Sequence, residues 1–348
     1  MHSLNLYGRL AESDSYRGNL TRHAPDWQRS IRAIGGFWTG SFTITADTMG
    51  RAEMVNLYNT AIGQRVVESV SSLVTWEGEI VELRLTLDGL TYLRSLDVER
   101  WHNKVAVRHP TGITAWAEDT DSSDIYGESC YIDTVGNPYG ATAAEARRNR
   151  ILSENAYPRS RPTGGLASAE GQPAENRLEV TCAGYVFGMN RRYQASDIAT
   201  ANLSAQITTL VGNSEFVTAG RISTNTLQVP VQAVGIYSRL WDTIADFIEA
   251  GDANGNRYIG GVWAGRKFHY QAAETAQTHV WRNGRLYDKA GTLVPPPLIR
   301  PDIIVRLANS PSSVYAPSGE DLDRCVYIEE VEFTAPDRYR LIPREGAL

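Results

Sequence analysis

The sequence has few of the residues that build covalent or metal-bound frameworks. It contains three cysteines in 348 residues, Cys130, Cys182 and Cys325, an odd number at wide spacings. Such an arrangement excludes a disulfide scaffold and offers no cysteine spacing for zinc. The six histidines form no H-x-x-x-H or H-E-x-x-H pattern. The sequence therefore predicts neither a metal site nor a metal cofactor.

Long apolar segments are also missing. No apolar run approaches the roughly 20 residues that a membrane-spanning helix needs. The first residues, MHSLNLYGRLAESDSY, lack the basic region and apolar stretch of a secretory signal. We therefore expect a soluble chain that folds in a reducing cytoplasm and has no membrane anchor.

Positive charge is scarce. The chain has 34 Lys and Arg against 40 Asp and Glu, and its formal net charge is −6. This balance argues against a surface that binds nucleic-acid phosphates. Arg147, Arg148 and Arg150 do cluster, but they fall on one predicted helix and are interpreted as a solvated face.

Sequence motifs of common enzymes are absent. There is no G-x-x-x-x-G-K-[ST] nucleotide loop and no G-x-S-x-G hydrolase elbow. Asp252, Asn254 and Asn256 alternate as in a calcium loop, but Arg257 and Trp263 occupy the places of the required glycine and acid. We interpret this segment as a turn rich in Asn and Gly, so no catalytic, cofactor-binding or metal-binding residues are assigned.

What the sequence does contain is mostly β-type alternation. FWTGSFTITA alternates apolar and polar side chains, and VTWEGEIVELRLTL changes phase between Ile80 and Val81. The phase change predicts a bulge or a corner. RAEMVNLYNTAIG, between these strands, predicts a short helix ending at Gly63.

The middle of the chain combines a helical pattern with a segment rich in Pro, Gly, Ser and Ala. Thr142 and Glu145 have the spacing of a capping box, and Pro158 ends the pattern, so we predict a helix over 142–156. Residues 159–175 are rich in Pro, Gly, Ser and Ala and read as an exposed loop. RLEVTCAGYVFGM then predicts a strand, with Leu178, Val180, Cys182 and Val186 in phase.

The second half combines one helix with further strands. SRLWDTIADFIEAG predicts a helix over 238–250 with an apolar stripe and a capping Gly251. Strands are predicted at LQVPVQAV, RKFHYQ, HVWRNGRLYD, DIIVRL and CVYIEEVEF. The Asn283-Gly284 pair is typical of a two-residue hairpin turn.

These elements predict an α+β fold that is predominantly antiparallel β. We expect a first β module over 1–118, completed by 176–195. An insertion over 119–175 would contain the helix and the Pro/Gly-rich loop. A second β-rich module would then span 196–348.

The stretch DTDSSDIYGESCYIDTVGNPYG (119–140) is the one candidate for an acidic catalytic pocket. Asp119, Asp121, Asp124 and Glu128 could supply a glycosidase-type pair of carboxylates. The competing interpretation is structural: Asp and Ser cap a short turn, and a glycine ends it. We favour the structural interpretation.

The same stretch resembles a segment of phage tail hub proteins. The resemblance begins with the polar run and the Tyr126-Gly127 pair, continues through SCYIDT and TAAEARRNRILSEN to Pro158, and reaches Gly184-Tyr185 in LEVTCAGYVFGM. WEGEIVELRLTLDG and YSRLWDTIADFIEAGDANGNRYI resemble two further units of that family. The loop 159–175 and the segment GTLVPPPLIRPD (291–302) depart from the family pattern.

The resemblance implies a baseplate-hub or tail-tip structural protein of the virion, assembled in the host cytoplasm. In that family, tube-like β-barrel modules let a homotrimer mimic the sixfold tail tube above it. The expected partners are other copies of the chain and neighbouring tail-tube and tail-tip proteins. Genomic DNA would pass through the channel without specific binding, and no lysozyme, peptidase or needle module follows, so we expect no enzymatic activity.

Two alternatives stay open. Within the same class, the chain would be a distal tail adaptor or a tail-tube-like hexameric ring. In another class, it would be a carbohydrate-binding or glycoside-hydrolysing protein that uses Trp101, Trp116 and the acidic stretch as a sugar platform.

Overall fold

A computed structural model gives the structure of most of the chain. The residues it describes are 2–97, 99–134, 140–163, 176–193, 201–229, 238–307, 325–334 and 338–344. The described helices are α1 (Arg51–Thr60), α2 (Thr120–Tyr126), α3 (Ala141–Asn155), α4 (Tyr185–Met189), α5 (Leu203–Gly212) and α6 (Leu240–Glu249). The described strands are β1 (His2–Tyr7), β2 (Tyr16–Asn19), β3 (Gln28–Arg32), β4 (Ile34–Thr45), β5 (Arg65–Val70), β6 (Leu73–Leu87), β7 (Leu90–Ser95), β8 (Lys104–His109), β9 (Gly112–Ile113), β10 (Ala117–Glu118), β11 (Cys130–Asp133), β12 (Arg161–Thr163), β13 (Arg177–Ala183), β14 (Ala201–Asn202), β15 (Thr218–Ile222), β16 (Gln228–Val229), β17 (Tyr258–Trp263), β18 (Lys267–Ala272), β19 (Gln277–Arg282), β20 (Arg285–Asp288), β21 (Ile303–Leu307), β22 (Cys325–Thr334) and β23 (Arg338–Pro343).

Within the described ranges, seventeen strands join into one branched sheet, and most of its pairings are antiparallel. A smaller sheet is made by β8 with β9, β10 and β11, and β14 pairs with β16. The predicted α+β, predominantly antiparallel class is confirmed. The pairings among the described strands leave the large sheet open and do not close it into a ring.

Strand β13 lies in the middle of the large sheet. It pairs with β4 on one edge and with β6 on the other, so that Val180 lies opposite both Phe42 and Leu83. The chain therefore leaves the sheet after β7 and returns to its centre after α3. The end of the chain joins the same sheet, because β22 pairs with β3. The domain boundaries themselves stay a prediction.

The phase change in β6 is a bulge, as predicted. Thr181 of β13 lies opposite Glu82, while the next residue, Cys182, lies opposite Ile80. Val81 thus has no partner on β13. The side chains of β6 in the first buried cluster are Trp76 and Ile80 before this extra residue and Leu83 and Leu85 after it, a change of parity.

Two predicted helices are present, with one correction. The helix predicted over 142–156 is α3, but its N-cap is Gly140 and no side chain caps it. The capping box was therefore wrong, since Thr142 lies inside the first turn. The helix predicted over 238–250 is α6, and Gly251 follows it with a φ of 68°.

The structure confirms one further local interpretation of the sequence and corrects parts of two others. The Asn283-Gly284 turn joins β19 to β20 with both residues at positive φ, which confirms the hairpin. The strand predicted through Val186 is wrong at its end, because Gly184 starts α4 and Val186 lies on that helix. Of the loop predicted over 159–175, residues 161–163 form β12, and 164–175 lie outside the described residues.

The buried side chains form two large clusters. The first is built mainly from side chains of the large sheet and includes Trp27, Ile31, Phe42, Trp76 and Phe333. The second lies under α4, α5 and α6 and includes Val186, Leu210, Trp241, Phe268 and Tyr270. Among the described helices, none combines the length and the apolar character needed to span a membrane.

Candidate functional site

The acidic stretch begins with a short helix. Asp119 is the N-cap of α2, and its carboxylate accepts a hydrogen bond of 2.9 Å from the backbone N–H of Ser122. Gly127 ends the helix with a φ of 80°, a conformation that favours glycine. The structural interpretation of Asp119 and Gly127 is confirmed, while residues 135–139 of the stretch lie outside the described residues.

The other three acids have different surroundings. Asp121 and Asp124 are exposed on α2. Glu128 lies between two cations: the Nζ of Lys104 is 2.6 Å from one carboxylate oxygen, and Arg192 bonds to the other. Burial raises the pKa of Glu128, but hydrogen bonds from Lys104 and Arg192 outweigh it and leave the pKa below its usual value. Glu128 is thus an anion held in an ion-pair network.

The proposed sugar platform is not formed. Trp101 is fully buried, and its indole N–H donates a 2.9 Å hydrogen bond to the carbonyl of Ala156. Trp116 is 40% exposed, but Trp101 does not reach the surface beside it. The alternative of a sugar platform that includes both rings therefore lacks the exposed Trp101 that it requires.

The segment that starts like a calcium loop is a hydrogen-bonded turn. The carboxylate of Asp252 accepts bonds from the backbone N–H groups of Asn254 and Asn256 and from the side-chain amide of Asn256. These hydrogen bonds lower the pKa of Asp252. Both carboxylate oxygens are engaged by the loop itself, as an Asn- and Gly-rich turn requires. In the part of the chain that the structure describes, no three His, Cys, Asp or Glu side chains are grouped to hold a metal ion.

Sequence reasoning missed a buried charged cluster on β6. Glu79 accepts bonds from both terminal nitrogens of Arg191, at 2.6 and 3.2 Å, and both residues are almost fully buried. Glu77, two residues earlier, accepts a 2.8 Å bond from the backbone N–H of Arg266. Burial raises the pKa of Glu77, and it raises that of the neighbouring Tyr185 hydroxyl far more. The one sequence signal was a pair of acids at alternate positions inside an apolar strand.

A second buried cluster joins the four strands β1, β3, β5 and β6. Glu68 of β5 pairs with Arg29 of β3, and it also accepts bonds from His2 and from the hydroxyl of Thr75. Such clusters tie strands together, because a buried charge without its partner is costly.

The surface of the large sheet presents several open strand edges. The outer side of β20 is bonded by residues 292–294. Among the described strands, each of β2, β12, β15 and β23 pairs with one neighbour only. Their outer N–H and C=O groups face away from the sheet, and open edges are available for pairing with another chain.

A cleft of about 400 Å³ opens between α6 and the strands β3, β4, β22 and β23. Its floor is apolar and its rim is acidic. The lining residues are Arg32, Ile34, Trp38, Trp241, Ala245, Glu249, Glu329, Glu330 and Ile342. We call this surface the α6 cleft.

Comparison with known proteins gives matches in structure only. No model of a known protein family matches the sequence, and no curated protein matches it. A tail protein from Neisseria meningitidis MC58 is similar in structure, with a TM-score of 0.45 and 6% identity over 99% of this chain and 96% of that one.

The second similar structure is the E. coli c3393 protein. It is a component of the type VI secretion system with structural similarity to the T4 bacteriophage tail proteins gp27 and gp5. The TM-score is 0.40 and the identity 9%, over 93% of this chain and 74% of that chain.

Proposed function

We propose that this chain is a non-enzymatic structural protein of a phage tail, and that it works as an assembled ring. The observation that carries the proposal is the open large sheet, whose four edge strands β2, β12, β15 and β23 each have one described partner. Natural proteins cover or block such edges, and a ring of copies covers them by subunit contacts. The similar structures, at 6% and 9% identity, do not assign this role.

The partners of the buried and capping carboxylates support the proposal that the chain is not an enzyme. Asp119 caps a helix, Glu128 is neutralised by two cations, and Glu79 is buried against Arg191. Each of these carboxylates already has a structural partner. A general acid or base needs an accessible carboxyl group beside a substrate cleft.

The finer proposal is a tail hub. A homotrimer would join the tail tube to the distal end of the tail and line the channel through which DNA passes. The formal charge of −6 supports this, because a wall of like charge does not hold phosphates. A strongly basic channel wall in the assembled ring would refute the channel proposal.

The test is the number of copies in an assembled particle. Mass photometry of the purified chain, together with an image of the tail that contains it, reports this number directly. Three copies support the hub, and six support the alternative of a tube-like ring or distal adaptor. A chain that stays monomeric and is absent from tail particles refutes the proposal.

A further inference from the structure

The α6 cleft combines an aromatic floor with carboxylates. Trp38 and Trp241 lie on the floor with Ile34, Ala245 and Ile342, while Glu249, Glu329 and Glu330 supply the acids. Trp38 reaches this side of the sheet because of an irregularity in the β3–β4 pairing. Arg29 lies opposite Gly40 and Ile31 lies opposite Phe37, so that β4 has one more residue than β3 between these pairs.

One arginine of the chain already occupies part of the cleft. The guanidinium of Arg32 lies 4.3 Å from the centre of the Trp38 ring. Its Nε donates a 2.9 Å hydrogen bond to Glu330. Arg32 thus shows how this cleft can hold a guanidinium group: the planar cation stacks on an indole ring and pairs with a carboxylate.

The rest of the cleft repeats these features without a cation. Glu249 is exposed and Glu329 is half-buried, and neither forms an ion pair with a described residue. Trp241 lines the cleft together with them and is 8% exposed. Asp242 and Asp246 add charge on the exposed face of α6. A second arginine side chain fits this half of the cleft by both its charge and its flat shape.

A complementary surface lies elsewhere on the chain. Helix α3 packs on β8 of the small sheet, whereas the cleft belongs to the large sheet and α6. Arg147 of α3 is neutralised by Asp133, and Arg148 bonds to the uncharged groups of Ala115 and Asn149. Arg150 is exposed and forms no ion pair with a described residue. Arg148 and Arg150 are therefore available to form ion pairs with carboxylates of another chain.

We propose that the α6 cleft of one copy binds the arginines of α3 from a second copy, with Arg150 entering beside Trp241, Glu249 and Glu329. Because the two surfaces differ, the contact is head-to-tail, and its repetition gives a ring when the rotation between successive copies closes. This inference rests on the proposed ring function and names the surfaces that form it.

A charge swap tests the contact. Glu249→Arg and Arg150→Glu are each measured alone and then combined in one chain. The readout is the concentration dependence of self-association, followed by mass photometry and analytical ultracentrifugation at low and high salt. Each single reversal replaces an attraction by a repulsion, so we expect association to weaken about tenfold or more. The combined variant should recover to within about threefold of the wild type, because the pair is restored with its signs exchanged.

Glu53→Arg is the matched control. Glu53 is exposed on α1, and the substitution makes the same change in net charge away from both surfaces. It should leave association unchanged. Thermal unfolding of every variant checks that the fold is intact, and Glu249→Gln with Arg150→Gln provides a milder second pair.

The outcomes separate the two proposals. A wild-type oligomer that neither single reversal weakens, or that the combined variant fails to restore, overturns the contact and leaves the ring proposal standing. A wild type that remains monomeric at every concentration and in tail particles overturns the ring proposal and the contact with it.

Discussion

The guanidinium of Arg191 and the carboxylate of Glu79 form a buried ion pair, with Nη2 2.6 Å from Oε1, across 112 positions of the sequence. The pair joins β6 to the segment that follows α4. The pair holds these two segments together, because removing one member leaves the other charged, buried and without a counter-ion.

Replacing one member of this pair should therefore destabilise the fold. We expect Glu79→Gln to lower the free energy of unfolding by about 3 kcal/mol, and the double variant Glu79→Met/Arg191→Met to cost less. Urea unfolding measures both. The control is Arg51→Gln, which removes a 2.5 Å pair with Asp88 that is exposed on both sides and should cost under about 1 kcal/mol. Equal costs for the buried and the exposed pair would contradict this account.

Substitutions of the acidic residues at the start of α2 and along it should change stability by different amounts, because only Asp119 caps the helix. Asp119→Ala removes the N-cap of α2 and is expected to cost about 1 kcal/mol. Asp121→Ala and Asp124→Ala remove exposed carboxylates and should each change stability by less than about 0.5 kcal/mol. Chemical denaturation of the three variants gives the ranking. A glycosidase activity of the wild type that is lost in the Asp121 or Asp124 variant would show that the acidic stretch is catalytic.

The contact between β4 and β17 depends on glycine. A side chain at Gly261 would lie 2.2 Å from the backbone nitrogen of Gly36, and the backbone cannot move away without breaking the pairing of the two strands. We expect Gly261→Ala to cost at least about 3 kcal/mol. Gly212→Ala, at the end of α5 where no atom lies within 4 Å, is the matched control. It should be neutral or stabilising by about 0.5 kcal/mol.

Glu68 should contribute to acid sensitivity. Burial raises its pKa, but hydrogen bonds from His2 and Thr75 and the charge of Arg29 outweigh burial, so the pKa lies below the ordinary value of 4.5. A carboxyl with a lowered pKa stabilises the fold above about pH 4.5, and this contribution is lost as the pH falls further through the folded pKa. Stability measured from pH 6 to pH 3 should therefore fall more steeply for the wild type than for Glu68→Gln. Parallel curves would contradict the role of Glu68.

Two cysteines should be unreactive in the folded protein. Burial raises the pKa of Cys130 to about 12 and that of Cys182 further still. The thiolate is the reactive form, so iodoacetamide at pH 8 should modify neither residue until the chain is unfolded in urea. Peptide mass spectrometry before and after unfolding measures this. Rapid labelling of Cys182 in the folded chain would show that β13 opens readily from the centre of the sheet.

Local features of the fold were predictable because their causes are local. The Asn283-Gly284 turn follows from residues that tolerate positive φ, and the bulge at Val81 follows from a shift in alternation. The capped start of α2 follows from the position of Asp119. One local signal was misleading: the spacing of Thr142 and Glu145 predicted Thr142 as the N-cap of α3, but the N-cap is Gly140, two residues earlier.

The sequence by itself determined the β-rich class, the two long amphipathic or Ala-rich helices and the turns, because periodicity and backbone preference act over a few residues. Only the tertiary structure decided that β13 lies between β4 and β6, that Arg32 meets Glu330 across 298 positions, and that Trp101 is buried. Pairing of distant strands depends on the burial and charge of the whole sheet, and no short stretch of sequence contains that information. The α6 cleft and the open strand edges also depend on this pairing of distant strands.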